Sequence, residues 1–333
     1  MEYVIIGCGP AGLHAAKTIS SEDSDADITL VSWELSPFYI RPALVDFISG
    51  KVSKEAFFYK PADILDGSKA RFELGRRVVS IVPDKNRILF SDGGELRYKF
   101  LLIATGARPQ VEPLWLAHRE KLQTLRSLAG AVRLKRSLKD AKHVAVIGGG
   151  YQALEIVRAC HAMGIEVSYL SPPDTFWPDE VAGVKPKEVE KKLKSVGIDL
   201  WLDARVADII DRDGTGYRII AGDGMSVDAD TIILSPKHNP NIDFLEDSGL
   251  QLHRGVIVSE ELRTSAPNIY AAGDVAQVYD PNSKINRLNF GWLSAREQGV
   301  VAGSNMVGRN LIFVRDEEAF FTQLMGKNPL DRW

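Results

Sequence analysis

Two glycine clusters carry the chemistry that can be read directly from this chain. Gly7, Gly9 and Gly12 form G-x-G-x-x-G, while Gly148, Gly149 and Gly150 are followed by Ala153 at the third motif position, an accepted variant. Each cluster follows an apolar run, Val4-Ile5-Ile6 or Val144-Ala145-Val146-Ile147, and each opens a stretch with helical character. In that context the first glycine lets the chain turn sharply, the second removes the side chain that would block a pyrophosphate, and the third lets helix and strand pack closely. Backbone N–H groups at the helix start then hold the phosphates. Two such sites in one chain imply two nucleotide cofactors exchanging electrons.

The rest of the composition narrows the field. A chain of 333 residues that is 45% hydrophobic and 26% charged reads as soluble and globular, with about two domains. No uninterrupted apolar stretch is long enough to span a bilayer. A net charge of -3 gives no global pull toward nucleic acid or a membrane. The N-terminal run lacks a basic region and breaks at Gly7, so it reads as a buried strand rather than a secretion signal, which implies a cytoplasmic chain. The two cysteines, Cys8 and Cys160, form no C-x-x-C or C-x-x-x-x-C pair, so neither an internal redox disulfide nor a zinc or iron–sulfur site is expected. Cys160 reads as a small buried apolar residue. The densest basic run, Arg133, Lys135, Arg136, Lys139 and Lys142, reads as a solvated helix face, with a docking patch for an acidic protein as the alternative.

The elements that must position these glycines are predicted as strands at 3–6, 28–31, 99–104, 143–147, 166–170, 231–234 and 268–271. Helices are predicted at 11–19, 128–138, 151–163, 186–195 and 294–306. Short strands alternating with helices point to parallel, doubly wound sheets. Segments 77–82, 87–90, 205–210 and 217–221 read as antiparallel excursions. There is no low-complexity tract or short-period repeat; what repeats is a whole dinucleotide-binding fold.

Four motifs in order, Gly7 to Gly12, Ala104-Thr105-Gly106, Gly148-Gly149-Gly150 and Ile269-Tyr270-Ala271-Ala272-Gly273-Asp274, give the chain a family likeness over residues 3 to about 308. It resembles the FAD-dependent pyridine nucleotide oxidoreductases, in the branch holding rubredoxin reductases, ferredoxin reductases and NADH oxidases. The resemblance implies an α/β fold of two Rossmann-like three-layer nucleotide-binding domains, the second inserted into the first. Residues 1–109 plus 240–310 would surround FAD, 110–239 would bind NAD(P)H, and 311–333 would form a shortened C-terminal tail. The chain ends about 60 residues after Asp274, too short for the interface domain usual in this family. Such a tail would expose the flavin edge to a partner, and it leaves the oligomeric state open.

The resemblance also implies site residues. Gly7, Gly9, Pro10, Ala11 and Gly12 would lie at the FAD pyrophosphate, with Val78, Ala104, Thr105 and Gly106 alongside. Gly273 and Asp274 would meet its ribityl and phosphate portion. Glu34 is the carboxylate nearest the end of the second strand and is nominated for the adenosine ribose, a solvated loop acid being the alternative. Phe38-Tyr39-Ile40-Arg41-Pro42 resembles the branch's Y-x-R-P segment, with Arg41 suited to charge-assisted bonds to phosphate. The branch commonly has a lysine near flavin N5 in R-P-x-L-S-K, where this chain has Arg41, Pro42, Ala43, Leu44, Val45 and Asp46. Asp46 either opposes the reduced flavin and lowers its potential, or turns to solvent while Lys51 or Lys54 supplies positive charge. Trp292, Ala295, Gln298 and Gly299 resemble the segment beside the flavin pyrimidine, where a helix N-terminus would stabilise negative charge.

At the second site Gly148, Gly149, Gly150, Tyr151 and Gln152 would hold the nicotinamide dinucleotide, and Glu155 would sit near the nicotinamide and flavin rings. An exposed acid interacting with the helix dipole is the competing reading of Glu155. Leu170-Ser171-Pro172-Pro173 offers neither a carboxylate for a ribose nor an arginine for a 2′-phosphate. No basic residue occurs from 168 to 180, so NADH is favoured over NADPH. Lys237 stands where the family tends to have a small residue beside the nicotinamide, and would contact the cofactor or block it; His238 reads as a solvated loop histidine.

The activity so implied is hydride transfer from reduced nicotinamide to flavin, followed by electron release to an acceptor, with the cofactor carrying the chemistry. The missing redox thiol disfavours disulfide, CoA-disulfide and peroxidase chemistry and favours a one-electron carrier of ferredoxin or rubredoxin type. Two alternatives stand beside it. One is a flavoprotein subunit with a degenerate nicotinamide site, motivated by Ala153, Ser171 and Lys237; the other is an NADH oxidase using dioxygen.

Overall fold

The computed structural model of the chain describes residues 1–36, 38–58, 70–110, 112–176, 184–281, 283–314 and 333. They divide into two compact units, one within Met1–Ile40, Phe58–Arg108 and Asn239–Asp316, the other within Arg41–Phe57, Pro109–His238 and Glu317–Trp333. The segment Arg41–Phe57 therefore groups with the middle of the chain. Its short helix Leu44–Ile48 buries Leu44, Phe47 and Ile48 and packs against helices Leu128–Leu138 and Gly150–Ala162, with the Lys135 ammonium 4.2 Å from the centre of the Phe47 ring.

In the first unit a five-stranded sheet runs in the order Ile269–Ala271, Phe100–Ile103, Glu2–Ile6, Asp27–Ser32, Arg71–Leu74. All its pairings are parallel. Tyr3, Val4, Ile5 and Ile6 are all buried, as expected of a strand covered on both faces. The helix Pro10–Glu22 begins with proline at its first turn, where the missing N–H costs nothing. It packs against the last described helix, Trp292–Met306. That approach depends on Gly299 and Gly303, since a Cβ on either would run into the backbone of Ala11 or Ala15. Antiparallel strands Val78–Val82, Arg87–Phe90 and Glu95–Arg97 form a separate small sheet.

The second unit repeats the plan. Its sheet runs in the order Asp199–Trp201, Glu166–Leu170, His143–Gly148, Thr231–Ser235, Leu122–Gln123, again entirely parallel. Helix Gly150–Ala162 follows the central strand. Helix Leu128–Leu138 starts at Ser127, whose hydroxyl accepts a bond from the Gly130 N–H at 3.2 Å. Val206–Asp211, Tyr217–Ala221 and Ser226–Ala229 pair antiparallel beside it. A local core of Ile147, Leu170, Ile209, Ile219, Ile232 and Leu234 joins the two sheets.

Candidate functional site

The first glycine turn is built by close backbone approach. Gly7 takes φ +118°, and a Cβ there would strike the Ala104 carbonyl oxygen. A Cβ on Gly12 would strike the Gly7 carbonyl. These two glycines are therefore required by packing. Gly9 differs: nothing lies within 4 Å of where its Cβ would sit, so its bareness serves open space rather than a neighbour. It is also the N-cap of helix Pro10–Glu22, and no side chain caps that helix start. An uncapped helix N-terminus beside a bare glycine is suited to a phosphate, because unpaired N–H groups and the helix dipole both favour an anion.

The other motif of this unit converges on the same elements. Gly273 takes φ +82°, and a Cβ there would lie 3.1 Å from the Ala11 Cβ. Its N–H donates to the fully buried Gln298 side chain at 2.8 Å, and Gln298 in turn donates to the Ser294 hydroxyl at 3.0 Å. The neighbouring Asp274 accepts a bond from the Gly291 N–H at 3.1 Å, and Gly291 is the N-cap of helix Trp292–Met306, again without a side-chain cap. Ala104 is buried under Gly7, while Thr105 exchanges bonds with Asn241 at 3.1 and 2.8 Å, closing the crossing where the chain leaves and re-enters this unit. The Glu34 carboxylate accepts from the Tyr39 hydroxyl at 2.8 Å, which holds it at the end of strand Asp27–Ser32. Val78 is partly buried against the core. These residues fit the pyrophosphate and ribose of a dinucleotide.

The second turn repeats the geometry with one difference. Gly148 at φ +140° abuts the Ser235 carbonyl, and Gly150 at φ +71° opens to empty space. Helix Gly150–Ala162 lacks a side-chain cap. Here, however, the Gly150 N–H donates to the Thr175 carbonyl at 2.7 Å and to that of Phe176 at 3.3 Å, and Gly149 packs against the same Thr175 carbonyl. Ser171 is fully buried, its hydroxyl 3.3 Å from that of Thr175. The Gln152 amide donates to the Leu125 carbonyl at 2.8 Å, while Tyr151 is partly exposed. The fit to a dinucleotide is retained with one backbone donor already engaged.

Charge at this second unit is arranged in a way the sequence did not disclose. Glu155 is only 8% exposed, so the exposed-acid reading is overturned. Arg158, one turn on and 5% exposed, donates to it through both Nε, at 3.2 Å, and Nη2, at 2.8 Å. The same Nη2 lies 4.0 Å from the Asp46 carboxylate. Asp46 sits in the short helix Leu44–Ile48, and the cation beside it is Arg158, which sequence reading missed in favour of Lys51 and Lys54. The available signal was an Arg three residues after a Glu inside an otherwise apolar run, Ala153 to Cys160.

Of the remaining predicted residues, Arg41 donates to the Arg126 carbonyl at 3.3 Å, Pro42 is exposed, and Lys237 is exposed with its carbonyl accepting from the Gln110 N–H. His238 is corrected: it opens the short strand His238–Pro240, is partly buried, and burial with the nearby Arg126 charge lowers its pKa to about 4. It is therefore neutral at physiological pH. Cys8 and Cys160 form no disulfide; Cys160 is fully buried and burial pushes its thiol up to about 12, far from the reactive range. Among the described residues no helix is long and apolar enough to cross a membrane, and no group of acidic, histidine or cysteine side chains is arranged to hold a metal ion.

Two parallel-sheet units, each opening a helix from a glycine turn, define a protein of the two-dinucleotide class. Residues 1–299 match the family model described as pyridine nucleotide-disulphide oxidoreductase, and the chain belongs to that family. It is 27% identical over 307 residues to the 3-phenylpropionate/cinnamic acid dioxygenase ferredoxin–NAD(+) reductase component of Photorhabdus laumondii, covering 92% of this chain and 77% of that one. It is 28% identical over 277 residues to the rubredoxin-NAD(+) reductase of Pseudomonas putida, covering 83% and 72%. Among solved structures it superposes on the covalent putidaredoxin reductase–putidaredoxin complex with a TM-score of 0.84 at 25% identity, covering 92% of this chain and 75% of that one.

Proposed function

We propose that this chain is an FAD-dependent reductase that takes electrons from NADH and passes them to an iron–sulfur or rubredoxin-type carrier protein. The observation that carries the reading is the pair of uncapped, glycine-started helices, one on each parallel sheet. The redox character of the relatives gives it direction. FAD, when bound, supplies hydride acceptance from a reduced nicotinamide and release of electrons to a one-electron acceptor.

The residues of this chain bind and orient. Gly9, Pro10, Ala11 and Gly12 present the start of helix Pro10–Glu22 to the FAD pyrophosphate, and Gly7 with Ala104, Thr105 and Gly106 shapes the turn beneath it. Glu34, held by Tyr39, would accept from the adenosine ribose of a bound FAD. Asp274, oriented by the Gly291 N–H, would accept from its ribityl chain. The start of helix Trp292–Met306 directs partial positive charge at the flavin pyrimidine. Arg41 and Pro42, nominated for the FAD phosphates on the resemblance, belong to the second unit, where Arg41 donates to the Arg126 carbonyl, while Val78 would lie beside FAD. Gly148, Gly149, Gly150, Tyr151 and Gln152 would receive NADH, with Ser171 and Lys237 at its flanks, and Glu155 and Asp46 are the nominated acids of the same unit. Cys8 and Cys160 form no disulfide, which favours an external acceptor and suits a reducing, cytoplasmic setting.

One observation favours a second reading, a flavoprotein subunit that does not use NADH: the Gly150 N–H is already bonded to Thr175 and Phe176. Anaerobic stopped-flow mixing of the FAD-loaded chain with NADH separates the two. Rapid bleaching of the flavin absorbance, followed by reoxidation on adding a [2Fe-2S] ferredoxin or a rubredoxin, is the expected result. A flavin that ignores NADH and NADPH overturns it in favour of the subunit, and fast turnover in air without a carrier overturns the choice of acceptor.

A further inference from the structure

The second glycine turn is covered by its own chain. Strand Glu166–Leu170 runs out into Ser171-Pro172-Pro173-Asp174-Thr175-Phe176, and the far end of that segment folds back onto the turn, where the Gly150 N–H donates to the Thr175 carbonyl at 2.7 Å and to that of Phe176 at 3.3 Å. The root of the segment is fixed: the Ser171 N–H donates to the Trp201 carbonyl and the Ser171 carbonyl accepts from the Ala204 N–H, both at 2.9 Å. Beyond that root the chain turns on itself. The Thr175 hydroxyl donates to the Pro172 carbonyl at 2.7 Å, the Phe176 ring lies 5.9 Å from that of Tyr169, and the exposed Asp174 takes φ +56°, a left-handed conformation that L-residues other than Asn and Asp rarely adopt. Gly149 answers to this arrangement. Its φ of -144° and ψ of -176° are extended backbone open to any residue, and the first turn carries Cys8 at the corresponding place. What forbids a side chain at Gly149 is the Thr175 carbonyl, into which a Cβ would run. The glycine there admits the folded-back segment, and the turn's own backbone does not require it.

We infer that Ser171–Phe176 is an autoinhibitory strap: the Thr175 and Phe176 carbonyls take the place of an anion at the start of helix Gly150–Ala162, and a dinucleotide pyrophosphate binds there by lifting them. The inference rests on reading this turn as the nicotinamide dinucleotide site, and every residue it uses belongs to the second unit. Strap and pyrophosphate compete for one donor, so the observed affinity is the intrinsic one reduced to the fraction of molecules with the strap raised. Asp174 is the hinge that sets this fraction. A left-handed residue costs a β-branched side chain a factor of roughly 5 to 30 in population, whereas glycine adopts that conformation freely. Valine at the hinge therefore raises the strap and glycine lowers it.

The test titrates ADP-ribose into the FAD-loaded full chain by calorimetry. ADP-ribose carries the pyrophosphate and transfers no hydride, and bound FAD keeps it out of the first turn. Asp174→Val and Asp174→Gly remove the same charge and differ in backbone preference, so the comparison between them isolates the strap. The valine variant is expected to bind ADP-ribose at least fivefold more tightly than the glycine variant. Gly149→Ala, which bars the strap by contact, is expected to bind more tightly than wild type by roughly two- to twelvefold, the equivalent of one neutral hydrogen bond. Should Asp174→Val fail to fold, Gly149→Ala against wild type carries the test. Binding of ADP-ribose by wild type, with the two Asp174 variants agreeing within twofold, overturns the strap and leaves the dinucleotide reading of the turn standing. No binding by wild type or by any variant overturns both.

Discussion

Replacing Gly9 with valine separates folding from cofactor binding, because the two demands on this glycine come from opposite directions. Gly9 has φ -82° and ψ -172°, a conformation any L-residue adopts, and no atom lies within 4 Å of its absent Cβ. Two small effects on stability then oppose one another. Restricting the unfolded chain stabilises by about 0.4–1 kcal/mol, and giving up glycine at an N-cap costs a few tenths to about 1 kcal/mol. The apoprotein melt should therefore move by no more than a few degrees. Binding is different, since the valine methyls would stand in the open space before the helix N–H groups, where the proposed reading puts the pyrophosphate. Losing two hydrogen bonds to a charged group, each worth about 1.5–3 kcal/mol, forfeits at least 3 kcal/mol. That is roughly two decades in Kd. Titrating FAD into the apoprotein and following quenching of its fluorescence reads the affinity, and a thermal melt without FAD reads the fold. A variant that melts normally and binds FAD within threefold of wild type would refute the argument that Gly9 lines the pyrophosphate site.

Three further outcomes are expected. Gly12→Ala must push a methyl into the Gly7 carbonyl and the Ile5 side chain, so the apoprotein itself should lose about 1–3 kcal/mol, the usual cost of overpacking, and melt lower where Gly9→Val does not. Gln298→Leu removes the acceptor of the buried Gly273 N–H, at about 1–3 kcal/mol for an unsatisfied buried donor, seen as a lower urea midpoint at unchanged slope. His238 has a folded pKa of about 4 against 6.5 unfolded, so its contribution is complete above pH 6.5 and is lost as the pH falls through 4. At about 1.4 kcal/mol per pKa unit it reaches roughly 3 kcal/mol. Melts of His238→Gln between pH 7 and pH 4.5 should be flatter than wild type by about that amount, and parallel curves would show that the histidine is solvated after all.

What was legible in the sequence was legible for physical reasons. Strands covered on both faces announce themselves as β-branched runs, and 143–147 and 166–170 were placed within a residue of the observed His143–Gly148 and Glu166–Leu170. Helices Leu128–Leu138 and Pro186–Ser195 were placed to the residue, because Ser127 caps one and proline opens the other. Short edge strands escaped: Arg71–Leu74, Leu122–Gln123 and Asp199–Trp201 are two to four residues long and mix polar with apolar side chains. The glycine turns disclosed a phosphate cradle, but not which glycines answer to packing and which to a ligand. Gly7 and Gly9 look alike in sequence and differ in backbone conformation and in what stands opposite their missing Cβ. Arg158 was missed because charge was sought at position 46, on the strength of a resemblance, while the cation stands on a different helix. His238 was misread because burial of a short strand leaves no periodic trace.

The two turns also settle, by magnitude, how much weight the engaged Gly150 N–H deserves. To use that donor a nucleotide must displace one neutral carbonyl, that of Thr175, with a longer contact from Phe176. Exchanging one neutral hydrogen bond for another changes affinity by about 0.5–1.5 kcal/mol, a factor of roughly two to twelve in Kd. A phosphate, being charged, makes the stronger bond, so the exchange runs in its favour. The helix start remains without a side-chain cap, and Gly150 still opens to empty space. Self-occupancy on this scale weakens a dinucleotide site without abolishing it, and it acts on NADH and NADPH alike because it meets the pyrophosphate rather than the ribose. A degenerate site would need a side chain over the turn, and among the described residues none stands within 4 Å of the Gly150 Cβ direction. The engaged Gly150 N–H is therefore compatible with the dinucleotide site that the reductase reading requires.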